Sequence, residues 1–140
     1  MNWFECKVSY EKTMENGLVK KVTESYLVDA LSHAEAEARI IEKMKPYISG
    51  EFTVSSVRRI NYSETFFNEL GDRYYKTKIA FIALDEKTGA EKKTKVNMLA
   101  QASDLRQSIT VVTEGMKGQM VDYELLCVSE TMLMDVFPFK

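Results

Sequence analysis

Two short segments combine side chains that could do chemistry. Arg58-Arg59-Ile60-Asn61-Tyr62 and Arg73-Tyr74-Tyr75-Lys76-Thr77-Lys78 interleave cationic and aromatic residues. In a strand the second segment alternates, so Tyr74, Lys76 and Lys78 share one face and Tyr75 and Ile79 the other. A row of one ring and two ammonium groups can grip a phosphate backbone and stack a base, or cradle a small anion. Arg58, Arg59, Tyr62, Arg73, Tyr74, Lys76 and Lys78 are therefore the candidate ligand-binding residues. The bland counterpart is a strand face kept soluble by lysines.

Other chemistries find little support. The only histidine is His33, and the cysteines are Cys6 and Cys127, so no clustered set resembles a transition-metal site. Serines such as Ser55 and Ser56 have no histidine near them in sequence, which leaves no catalytic triad to name. Glu35, Glu37 and Glu42 read as the solvated side of a helix rather than an acid–base pair. Glu114-Gly115-Met116-Lys117-Gly118 follows a helix instead of opening one, so it reads as a C-terminal cap and not a phosphate loop. No catalytic residue, metal ligand or cofactor is expected.

Composition sets the background. The chain has 140 residues, ordinary hydrophobic content and a net charge of −2, so attraction to nucleic acid or an anionic membrane must be local. No run approaches the roughly 18 apolar residues of a membrane helix. The N-terminus lacks the pattern of a signal peptide. Two cysteines in apolar, strand-like surroundings suggest buried thiols in a reducing cytoplasm. These features point to a complete, cytoplasmic protein.

The elements that must position the basic face recur. Shifted by 71 positions, Trp3-Phe4-Glu5-Cys6-Lys7-Val8-Ser9-Tyr10 falls on Tyr74-Tyr75-Lys76-Thr77-Lys78-Ile79-Ala80-Phe81, and both alternate with period two. Hairpin turns follow at Asn16-Gly17 and Thr88-Gly89, then return strands from Lys20 and Lys92. Ser32 with Glu35 predicts a capping box opening a helix with an inward stripe of Ala34, Ala38 and Ile41. Ser103 stands in the same place in the second copy, ahead of Leu105, Ile109 and Val112. Phe52–Val57 and Tyr123–Val128 predict closing strands, and Tyr62–Phe66 falls on Leu133–Phe137 beyond them.

The expected fold class is α+β: one domain over 1–140, an internal duplication of a ββαβ unit in halves 2–68 and 73–139. Mostly antiparallel sheet would be covered by two helices. If the halves close on each other, the two basic segments meet near their pseudo-two-fold axis. The first copy offers Trp3, Glu5 and Lys7 on the matching face, which is less basic and speaks against a symmetric nucleic-acid groove. The apolar run Met132–Phe139 is expected to be packed, against its own chain or, in a homodimer, against a second subunit.

The segments Trp3–Val8, Tyr26–Ala30, Ile48–Val54, Gly71–Lys76 and Met134–Pro138 together resemble an uncharacterised domain-of-unknown-function family. Its members are proteins of similar length from Bacteroides-type bacteria and crAss-like phages. The resemblance implies a cytoplasmic protein of bacterial or phage origin and no activity. The leading expectation is a non-enzymatic binding or adaptor protein, acting through a sheet face or the seam between its halves on a protein or a small anionic ligand. A single-stranded nucleic-acid binder is the alternative, and a small enzyme without a recognisable motif the third.

Overall fold

A computed structural model describes residues 2–138. The elements run β1 (Trp3–Thr13), β2 (Val19–Asp29), α1 (His33–Met44), β3 (Phe52–Ile60), β4 (Glu64–Phe66), β5 (Arg73–Leu84), β6 (Glu91–Ala102), α2 (Leu105–Gly115), β7 (Asp122–Glu130) and β8 (Leu133–Phe137). They make two four-stranded sheets, ordered β3-β1-β2-β8 and β4-β6-β5-β7. The α+β class and the mainly antiparallel pairing are as expected; only β2·β8 and β4·β6 are parallel.

The chain falls into two compact units, one holding everything up to Asn61 together with Met132 onward, the other Tyr62–Thr131. These differ from the contiguous halves 2–68 and 73–139. The short strand that follows β3 pairs with β6, and the one that follows β7 pairs with β2. Leu133 and Val136 of β8 are buried in this way, and Arg39 of α1 donates to Pro138 O at 3.3 Å just beyond it. Phe139 lies outside the described residues.

Within the first unit, β1 and β2 form a hairpin whose turn places Gly17 at φ 85°, a conformation that suits glycine. Phe4, Cys6 and Val8 of β1 and Tyr26 and Val28 of β2 form the apolar face. Helix α1 starts at Ser32, whose Oγ accepts from Glu35 N at 3.1 Å. The reciprocal bond of a capping box is not made: Glu35 Oε1 is buried without a partner among the described residues. The stripe that packs on the sheet is Ala36, Ile40 and Met44. This corrects the expected Ala34, Ala38 and Ile41: with period 3.6, several stripes are equally apolar here, and only packing selects one.

The second unit also holds a hairpin and a helix. The β5–β6 hairpin turns at Gly89 with φ 72°. Helix α2 buries Ser108 and Val112, and Met116 is buried at its C-cap, while Leu105 and Ile109 remain 49% and 40% exposed. The cap is Asp104, not Ser103. Asp104 Oδ1 accepts from Gln107 N at 2.7 Å, and Gln107 Oε1 accepts from the amide of Ser103, the residue before the cap, at 2.6 Å, so the helix start is tied from both sides one residue later than expected. The connection into β5 is pinned by Gln101, which accepts from Asn68 N at 3.1 Å and donates to Gly71 O at 2.9 Å. A Cβ at Gly71 would meet the Ala102 backbone at 2.5 Å, so only glycine fits there.

Two outcomes follow from this packing. Ile40→Ala should cost about 2–5 kcal/mol in urea unfolding, against less than about 1 kcal/mol for Leu105→Ala. Equal costs would refute the observed helix phases. Removing the chain after Thr131 should lower the melting temperature by strand loss from the first sheet; an unchanged melting curve would show that β8 contributes nothing.

Candidate functional site

The central strand β5 organises the only face to which sequence reasoning assigned several binding residues. Its alternation turns Tyr75, Thr77 and Ile79 toward the α2 side and Tyr74, Lys76 and Lys78 away. Lys78 stands opposite Asn97 of β6 and Cys127 of β7, and Lys76 opposite Leu99 and Ser129. Five of these side chains, Lys76, Lys78, Asn97, Cys127 and Ser129, line a depression of about 190 Å³. Both lysines are exposed and neither has an ion-pair partner among the described residues. Asn97 Oδ1 is buried and has no hydrogen-bond partner there. Such a group gains when a donor arrives.

Cys127 reaches this face through a β-bulge. The β5–β7 register shifts between Lys78 and Ile79, so Leu125 opposes Ile79, Cys127 opposes Lys78, and Leu126 is the extra residue. Strict alternation along β7 would put Cys127 with the core. The bulge reverses that parity, and the thiol is exposed, which corrects the expectation that both cysteines are buried. The β1–β3 ladder has a matching shift between Lys7 and Val8. Cys6 is buried, and burial, followed by the charges of Glu37 and Glu5, pushes its thiol up to about 11. Both cysteines are free.

The remaining sequence candidates are dispersed or engaged. Tyr74 shares the lysine face but is only 6% exposed. Arg73 approaches Glu130 at 4.0 Å from the strand's start. Tyr62 is half-buried and precedes Ser63, whose amide bonds to Asn97 O at 2.9 Å. Arg58 and Arg59 belong to the first unit's edge strand, where Arg58 pairs with Glu5 at 2.9 Å and Arg59 donates to Asn2 Oδ1 at 2.9 Å. The structure therefore joins Lys76 and Lys78 in one depression and leaves the other five outside its lining. Asn97, Cys127 and Ser129 were not anticipated, because cross-strand register and a bulge bring them there. The Gly89 hairpin hinted at β6 as a neighbour of β5 but not at its register, and no local signal pointed to β7.

Among the described residues no group of three or more His, Cys, Asp or Glu side chains could hold a metal ion. No helix among them is long and apolar enough to cross a membrane. The model of a family described as a domain of unknown function, DUF4494, matches residues 2–139. No curated protein and no solved structure matches the chain.

The two thiols should differ sharply. At pH 8 the folded protein should release one equivalent of chromophore from a disulfide reagent quickly, through Cys127. Cys6 should follow only on unfolding, because it is buried and stays protonated below about 11. Two fast equivalents, or none, would contradict the bulged register.

Proposed function

We propose that this chain, which belongs to the DUF4494 family of unknown function, is a binding protein that takes an anionic ligand on the part of its second sheet that carries Lys76 and Lys78. The observation that carries the reading is a pair of ammonium groups, Lys76 and Lys78, over one depression, with no ion-pair partner among the described residues. Successive outward positions of a strand hold their charges near one another. Like charges on a rigid sheet cannot both relax away, so an anion between them removes a repulsion as well as adding an attraction. The chain's net charge of −2 makes this a local attraction rather than a general basic character.

The lining also suits recognition better than acid–base turnover. It holds two ammoniums, a thiol, a hydroxyl and an amide, and neither imidazole nor carboxylate. Ser129 can donate to an oxyanion beside the Lys76 and Lys78 ammoniums, so the favoured ligand carries a charged oxygen. A carboxylate-bearing segment of a partner protein and a small hydroxylated oxyanion both answer this description. A single-strand nucleic-acid platform would need an accessible ring, and Tyr74 is buried. We place the protein in the cytoplasm, where both free thiols stay reduced.

The test is calorimetric titration with pyrophosphate, a short polyglutamate peptide and an oligothymidylate. Binding of one of the first two at low ionic strength, weakened about tenfold by the double change Lys76→Gln and Lys78→Gln with unchanged melting, supports the reading. Absence of binding by all three, or equal affinity in the variant, refutes it. Oligothymidylate as the tightest ligand would favour the nucleic-acid alternative.

A further inference from the structure

A second cavity, confined to the first unit, has the opposite electrostatic character. It opens where α1 stops. Met44 O accepts from Tyr47 N and Ile48 N, each at 3.0 Å, and the chain then leaves the sheet face. Beyond that point the helix no longer covers β1 and β2, and a space of about 260 Å³ remains. Tyr10, Glu24, Tyr26, Tyr47, Asp135 and Phe137 line it. Pockets that bury a drug-sized ligand are usually about 300–1,000 Å³. This one suits a compact head group.

Three features converge on its charge preference. First, Tyr10 and Tyr26 both donate to Glu24 Oε1, at 3.0 and 3.1 Å, which fixes a carboxylate in the wall and leaves its second oxygen without a partner among the described residues. Second, the rings of Tyr26 and Phe137 stack with centroids 5.9 Å apart and 18° between planes, forming a π wall. That wall already attracts a cation, since Lys43 Nζ lies 5.6 Å from the Phe137 centroid. Third, the site lies at the C-terminal end of α1, the negative end of its dipole. Burial first, and then the Glu24 charge, push Tyr26 up, with Asp135 adding to it, and Tyr10 is raised by burial and by its bond to Glu24.

The second unit shows that the fold does not require this polar set. Glu24 stands opposite Val8, and the residue opposite Ile79 on β6 is Val96. Tyr26 stands opposite Cys6, and the residue opposite Thr77 is Met98. Tyr10 opposes Phe52 on the edge strand, as Phe81 opposes Tyr123. Val96, Met98 and Phe81 all belong to an apolar core with Met116 and Phe66. One unit fills the place with hydrocarbon; the other spends it on two phenols and a carboxylate.

We propose that this cavity binds an organic cation of the N-methylated or tetraalkylammonium class, its head against the Tyr26–Phe137 wall and the Glu24 carboxylate. A guanidinium is less suited, because a bidentate pair needs both carboxylate oxygens and the tyrosines hold one. An alkylammonium needs only π faces and nearby charge. The site is independent of the anion site on the second sheet.

The experiment uses the full chain and follows the Tyr and Phe ring resonances during titration with tetramethylammonium, and separately with 3,3-dimethylbutanol, the neutral isostere of choline. Saturable shifts of Tyr26 and Phe137 with the cation alone are expected. Glu24→Gln should weaken binding about tenfold and Tyr47→Ala, at a position 79% exposed and so safe for folding, several-fold. Lys43→Gln should tighten it by removing a competing ammonium. Choline and acetyl-trimethyllysine amide then separate a free small molecule from a modified side chain as the source. Equal response to the neutral alcohol, no saturable shift, or unchanged affinity in both Glu24→Gln and Tyr47→Ala would overturn the proposal.

Discussion

One short helix has to shield one long sheet, and the rest of the architecture adjusts to that mismatch. Helix α1 has 12 residues and β1 has 11. At a rise of ~1.5 Å the helix spans ~18 Å, whereas an extended strand at ~3.3 Å per residue reaches ~36 Å. On the face that α1 covers, burial follows the shortfall: Phe4, Cys6, Val8, Tyr26 and Val28 are buried against the helix. On β1 burial is dense from Trp3 to Ser9 and absent from Glu11 onward, and on β2 it is dense only from Ser25 to Asp29. The uncovered hairpin ends carry Lys12, Lys20 and Lys21, or Lys92, Lys93 and Lys95 in the other unit, which suits strands wet on both faces. The tyrosine–glutamate cavity lies at the border between the two regimes, where a side chain is half covered and a polar tip can still find a partner.

The same border is handled differently in the two units, and the energetics explain why both work. Val96, Met98 and Phe81 gain by leaving water, at ~25 cal/mol per Å² of apolar surface. Tyr10, Tyr26 and Glu24 bury ring area while their polar atoms satisfy one another, so the desolvation cost is offset rather than avoided. Thr77 makes the comparable compromise deeper in the second core, donating to Met98 O at 3.1 Å. Polar atoms enter these cores where a specific acceptor waits for them.

Much of the fold was legible because its signals are local. Period-two alternation marks β1 and β5, Asn16-Gly17 and Thr88-Gly89 mark the hairpins, and Ser32 marks the start of α1. What escaped depends on non-local choices. Ala34, Ala36 and Ala38 are alike in chemistry, so nothing short of the sheet itself decides which of them faces inward. A bulge has no compositional signature, and one extra residue reversed the reading of Cys127. Tyr62–Phe66 and Leu133–Phe137 were matched to each other but not read as strands, because a three- to five-residue strand carries too little pattern to show itself or its partner. For the candidate site, Lys76 and Lys78 were visible on one strand, whereas Asn97 and Ser129 required the register of two others.

The exchange of short strands also orders events during synthesis. The second sheet has all its strands once residue 130 has been made, since β4 precedes β5 in the chain. The first sheet, begun earlier, still waits for residues 133–137. The half translated first is thus the last to close, contrary to the usual N-terminal-first sequence. Throughout that interval the β2 edge is open, with unpaired amides and carbonyls facing outward. On a crowded polysome the nearest complementary strand can be the β8 of a neighbouring nascent chain, and a strand-exchanged pair is the characteristic error to which this connectivity exposes the molecule.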